Sequence, residues 1–131
     1  MASDLQSAPV SKAALWTGRI MSTLPVLMLI MSATMKFLKP ASVVEGFTHL
    51  GWPEHLALNL GIVELSCTLL YVIPRTSVLG AILLTGYLGG ATATHARIGE
   101  PWFAPVLLGM LVWGGLFMRD TRVRDLIPLR K

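Results

Sequence analysis

The chain has 131 residues, the size of one domain. Charged residues make up 14% and the AVILMFWYC set 53%, with a mean hydropathy of +0.64, whereas an average soluble domain is about 25% charged. A soluble chain this small would leave large apolar patches in water, so these figures point to an integral membrane protein. They exclude a disordered chain, a disulfide scaffold (Cys67 is the single cysteine), a coiled coil and a nucleic-acid module.

The net charge of +4 fits that reading, because five basic residues crowd the last thirteen positions: Arg119, Arg122, Arg124, Arg130 and Lys131. A short basic flank after an apolar span suits a cytoplasmic tail near anionic lipid, and no aromatic-basic interleaving suggests nucleic acid.

A bilayer core of about 30 Å takes about 20 helical residues, and four segments are expected to span it. After an N-terminal segment (1–14), the first span runs over 15–38, with Arg19 and Lys36 near its ends, where long stems snorkel. Its length and the lack of a small-residue cleavage site argue against a signal peptide. Pro25 lies inside it, a source of kinking. Next, Ser42 and Glu45 have capping-box spacing, and Val43, Val44, Phe47 and Leu50 share a face. They predict a short amphipathic interfacial helix, closed by Gly51-Trp52-Pro53. The second span covers 54–73 and stops at Pro74-Arg75; the third covers 76–96. The fourth covers 102–118, with Pro101 expected in its first turn, and residues 119–131 form the basic tail. The expected fold is therefore all-α: an integral membrane four-helix bundle with one extra amphipathic helix.

Four spans place both termini on one side. That side holds eight Lys/Arg residues and the other holds Lys36, Lys39 and Arg97, so the positive-inside rule puts the termini in the cytoplasm. Polar groups then gather at the non-cytoplasmic face: Glu45, His49, Glu54 and His55 in one connection, and His95, Arg97 and Glu100 in the other.

Glu64 is the most informative residue. It lies ten residues into the second span, about 15 Å along the helix, where a carboxylate faces the interior and pairs with something. Gly61, Thr68 and Tyr71 share its face. It reads either as a packing lock or as a functional acid. His95 ends the third span, sharing a face with Leu88 and Thr92 beside Tyr87, and reads as a core histidine or as an acid-base partner of Glu64. Gly86 and Gly90 form G-x-x-x-G, a close-approach motif for a neighbouring helix or another copy. Lys36 is either a snorkelling residue or the counter-ion of a carboxylate or anionic ligand. His49, Glu54 and His55 lack metal-ligand spacing, and Cys67 reads as packing. No P-loop, dinucleotide fingerprint, CxxC, nucleophile elbow or haem ligand pair is present, so nothing in the sequence signals haem, flavin or nucleotide.

Several stretches are similar to the DoxX-like family of small four-helix bacterial membrane proteins. They are Ser32-Ala33-Thr34-Met35-Lys36, Val44-Glu45-Gly46-Phe47, Gly51-Trp52-Pro53-Glu54, Gly61-Ile62-Val63-Glu64-Leu65, Ile73-Pro74-Arg75-Thr76, the run Gly86 to His95, and Phe117-Met118-Arg119-Asp120. The resemblance covers about 15–129 and implies a four-helix bundle in the inner membrane, with Lys36, Glu64 and His95 as motif members. Some relatives are linked to quinone-dependent sulfur oxidation or membrane oxidoreductase complexes, and distant kin look like assembly chaperones.

Three functions fit. The first is binding of a lipophilic, quinone-like molecule in a pocket open to the non-cytoplasmic side, in a redox-linked role. Glu64 and His95 would act on it, with Lys36, Thr68, Tyr71, Tyr87 and Thr92 as ligand contacts. The second is a non-catalytic accessory or assembly subunit, docking to a membrane protein partner or another copy. The third is a stand-alone isomerase-type enzyme using Glu64 and His95 as acid and base.

Overall fold

A computed structural model describes residues 10–129. Of the expected terminal segments, residues 1–9, Arg130 and Lys131 lie outside the described part. The described residues form six α-helices and no strand. Helix α1 covers Lys12–Leu38, starting three residues before the expected span because the Ser11 hydroxyl accepts the Ala14 N–H at 3.2 Å. It ends at Lys39 in the left-handed conformation (φ 49°), ahead of Pro40.

Helix α2, Ala41–Leu50, is the expected short amphipathic element, but the capping box does not form. Pro40, extended at φ −64° and ψ 163°, occupies the N-cap, which puts Ser42 inside the helix. Its C-terminus is as expected: Gly51 has φ 80°, and the Gly51 and Trp52 N–H groups bond to the Thr48 and Phe47 carbonyls at 3.0 and 2.9 Å.

Helix α3 spans Leu56–Val72, and a 3₁₀ turn at Pro74–Thr76 leads into α4, Ser77–Arg97. The carbonyls orphaned at the end of α3 are capped from this turn: Thr76 Oγ1 donates to Leu70 O at 2.7 Å and Ser77 Oγ to Tyr71 O at 2.8 Å. Helix α5 spans Phe103–Arg119 with Trp102 at its N-cap, so Pro101 precedes the helix instead of sitting in its first turn. Within the expected tail, Thr121–Leu126 forms α6, capped by the Asp120 carboxylate on the Arg122 N–H at 2.9 Å.

Two helical stretches, Lys12–Leu38 and Pro74–Arg97, are long and apolar enough to cross a membrane. The apolar helices α3 and α5 have 17 residues each and are about 25 Å long; α3 is shorter than its expected span, whereas α5 has the expected length shifted by one residue. The four long helices pack in the ring order α1–α3–α4–α5, with α5 returning to α1. The end of the ring that carries both described termini is called here the termini end.

The ring's interior combines apolar residues (Leu29, Leu84, Val112, Leu116) with buried Ser22, Glu64, Thr68, Tyr71 and Ser77. Its outside carries the larger apolar side chains, among them Trp16, Ile20, Met31, Ile62, Leu69, Ile82 and Met110, all at least half exposed or nearly so. At the termini end the helices touch backbone to backbone. A Cβ added to Gly80 would collide with the Tyr71 backbone, and one added to Gly18 would sit 2.7 Å from Gly115 O. Ser22 Oγ lies 2.7 Å from Tyr71 OH, which donates to Val112 O at 2.7 Å, tying α1, α3 and α5 together.

Candidate functional site

Helical spacing builds the first half of the site. Ser32 and Lys36 lie four apart on α1 and so share a face, and Glu64 sits on the inward stripe of α3. Glu64 is 2% exposed and Lys36 15%. Lys36 Nζ donates to Glu64 Oε2 at 2.7 Å and to Ser32 Oγ at 2.6 Å. Tyr87 OH from α4 donates to the same carboxylate oxygen at 3.0 Å and Ser32 Oγ at 3.3 Å. Three donors thus converge on Oε2. A buried carboxylate needs such partners, because its desolvation is otherwise prohibitive. An ammonium has three donors; two are engaged by Ser32 and Glu64, leaving one.

Above this network lies a cavity of about 400 Å³, within the usual size range of small-molecule sites. Lys36 and Tyr87 line its floor, Phe47 and Leu50 of α2 with Trp52 cover it, and Gly86, Gly90, Ala91, Thr94 and His95 form one wall. Glu64 stands one layer behind the lining. The G-x-x-x-G pair brings no neighbouring helix close: a Cβ at Gly86 or Gly90 would meet nothing within 4 Å. These glycines leave space in the cavity wall, a role that the motif alone does not distinguish from helix contact.

The rim is polar. Gly99, at φ 77°, turns the chain after α4 so that Glu100 folds back over it. His95 Nδ1 lies 3.1 Å from Glu100 Oε2, and His49 Nε2 of α2 contacts Glu100 Oε1. His95 and then His49 hold the Glu100 carboxyl below its ordinary pKa of 4.5. Arg97 NH2 donates to the Leu50 carbonyl, and its guanidinium lies 5.9 Å from the Trp52 ring centre. Helix α2 is therefore fastened to the loop after α4 by side chains.

The structure gathers Lys36, Tyr87 and His95 around one cavity and sets Glu64 against the first two. His95 takes Glu100 as its carboxylate. The remaining candidates sit elsewhere: Thr68 is buried with its hydroxyl on the Glu64 carbonyl at 2.7 Å, and Tyr71 is committed to Ser22 and Val112. Thr92 donates to Leu88 O at 2.8 Å and faces a separate depression with Trp113. Sequence reasoning missed Ser32, Phe47, Trp52 and Glu100 as parts of the site. For Ser32 the four-residue spacing to Lys36 was the available signal.

A larger hollow of about 760 Å³ lies at the termini end. It is almost wholly apolar, and its one cation, Arg124, is engaged by the Phe117 carbonyl at 2.7 Å and the Met118 carbonyl at 2.5 Å. The cavity beneath α2 is thus the better-equipped site. No curated protein and no solved structure matches the chain. A family model does, over residues 20–115, a stretch that holds the Lys36–Glu64–Tyr87 network and His95: the chain belongs to the DoxX-like family.

Proposed function

We propose that the chain is a four-span bundle of the bacterial inner membrane with both termini in the cytoplasm, binding a lipophilic, quinone-like small molecule in the cavity beneath α2. Large apolar residues outside and hydroxyls, a carboxylate and glycines inside match the distribution expected of helices packed in lipid. The observation that carries the binding reading is the Lys36–Glu64–Tyr87 network directly under an otherwise apolar and aromatic cavity. The third N–H of Lys36 is a donor for a ligand oxygen, and the second ring nitrogen of His95 is a further polar contact at the rim. Glu64 holds Lys36 and Tyr87 in place from behind. Phe47 and Trp52 suit a flat ring. A bound quinone would itself supply the redox chemistry; the chain's residues bind it, orient it and keep water away.

The test is native mass spectrometry and titration of the purified full chain with a short-chain quinone. Gly90→Leu should fill the cavity and abolish binding with stability kept. Glu64→Gln should weaken binding about tenfold or more by loosening the donor that it holds. Unchanged binding in Gly90→Leu would overturn the assignment of the cavity. The open glycine face of α4 also favours a second reading, a non-catalytic accessory subunit docking a partner helix there. A chain extracted without a small molecule but together with a larger membrane protein would establish that reading.

A further inference from the structure

At the termini end, outside the cavity just described, two arginines flank a second hollow. It measures about 410 Å³ and lies along α1 where α3 and α5 end. Trp16, Arg19 and Ser22 of α1 line it, with Tyr71 and Val72 of α3 and Arg119 of α5. Ser22 and Tyr71 are buried at 7% and 1% exposure, so the floor is polar but closed. Arg119 lies over the Tyr71 ring at 5.3 Å and donates through Nε to Ser22 Oγ at 3.2 Å, and Arg19 lies over the Trp16 ring at 5.0 Å. Neither guanidinium forms an ion pair among the described residues. Asp120 lines the adjoining depression, which both arginines also border, and is engaged by the backbone N–H and guanidinium of Arg122. Two cations thus face one hollow whose described lining holds no acid.

We infer that this hollow binds the phosphate of an anionic lipid headgroup. Planar guanidinium groups match phosphate oxygens and accept them in pairs. An exposed Trp beside them is the usual companion of a headgroup boundary, and Val72 with the apolar face of α1 offers a path for the acyl chains. The assignment rests on the membrane placement proposed above and is independent of the cavity beneath α2.

The test compares lipid retention by the full chain after incorporation into vesicles of phosphatidylcholine containing about a quarter phosphatidylglycerol. Failure to incorporate would count against the placement, which separates it from failure of the site. Wild type should retain the anionic lipid preferentially, and Arg19→Gln should lower that preference about fivefold, one arginine's share at a lipid surface. Arg19→Gln is the informative variant because Arg119 also supports the fold through Ser22. Arg75→Gln removes the same charge at the same end, outside the hollow, and should leave the preference intact. Equal losses in the two variants would reduce the effect to diffuse surface charge and overturn the site, as would an absence of preference in wild type. In pure phosphatidylcholine, stabilisation by inorganic phosphate that Arg19→Gln abolishes, without preference for the anionic lipid, would overturn the lipid assignment in favour of a free phosphate.

Discussion

Glycine does opposite work at the two ends of the helical ring. At the termini end Gly18, Gly80 and Gly115 let backbones meet where no Cβ fits, and hydroxyls bridge the helices directly. At the other end Gly86 and Gly90 face open space, and the helices are joined through a buried ion pair and a covering helix. One end is closed by contact and the other is held open around a polar network. Small residues therefore carry no fixed meaning; what faces them decides whether they close a gap or keep one.

The largest effect should come from the open end. Lys36→Met leaves the Glu64 carboxylate buried without its cation and should cost about 3–5 kcal/mol, read by unfolding of the purified protein in one fixed detergent. Removing both charges, as Lys36→Met with Glu64→Met, should recover most of that loss. Wild-type stability in Lys36→Met would mean that the ion pair does not hold this end together.

A smaller effect sharpens the contrast between the glycines. Gly80→Ala drives a methyl group into the Tyr71 backbone and should cost about 1–3 kcal/mol. Gly90→Ala meets nothing and should stabilise α4 by up to about 1 kcal/mol, the helical preference of alanine. Like changes in both variants would erase the distinction between the ends.

The smallest effect concerns the cover. The histidines hold the Glu100 carboxyl below 4.5, its ordinary value. A lowered carboxyl contributes stability that is fully present above the ordinary value and is lost as pH falls through the folded one. Amide exchange at Phe47 and Trp52 should therefore be flat in its protection down to about that value and weaken below it. Glu100→Gln should weaken protection throughout and remove the acid step. Because Glu100 is 33% exposed, solvent screening keeps the effect small.

The helices themselves were legible in the sequence, because apolar runs and Pro/Gly punctuation are local signals. The inward stripe of Gly61, Glu64, Thr68 and Tyr71 was legible for the same reason: it repeats with the helical period. Boundaries set by a single cap were less so. Ser42 and Glu45 have the spacing of a capping box, but Pro40 starts the helix too early for it. Pairing across helices was harder still. His95 and Glu64 look like partners by chemistry, yet the turn at Gly99 brings Glu100 back to His95, while Lys36, 28 residues away in the chain, takes Glu64. That Lys36 could be a counter-ion was readable from its type, whereas its partner depended on the ring order of the helices.

The contact between α1 and α5 has a consequence for assembly. Ser22 and Arg119, which meet across it, are 97 residues apart. Neighbouring helices can pair as soon as both exist, but this clasp joins the first long helix to the last, and contacts of such long range form slowly. During synthesis Ser22 can meet Tyr71 of α3, but Gly18 on the same face of α1 must wait uncovered until α5 arrives. A chain arrested before Phe103 would leave the Gly18 patch of α1 without the backbone partner that closes this end of the ring.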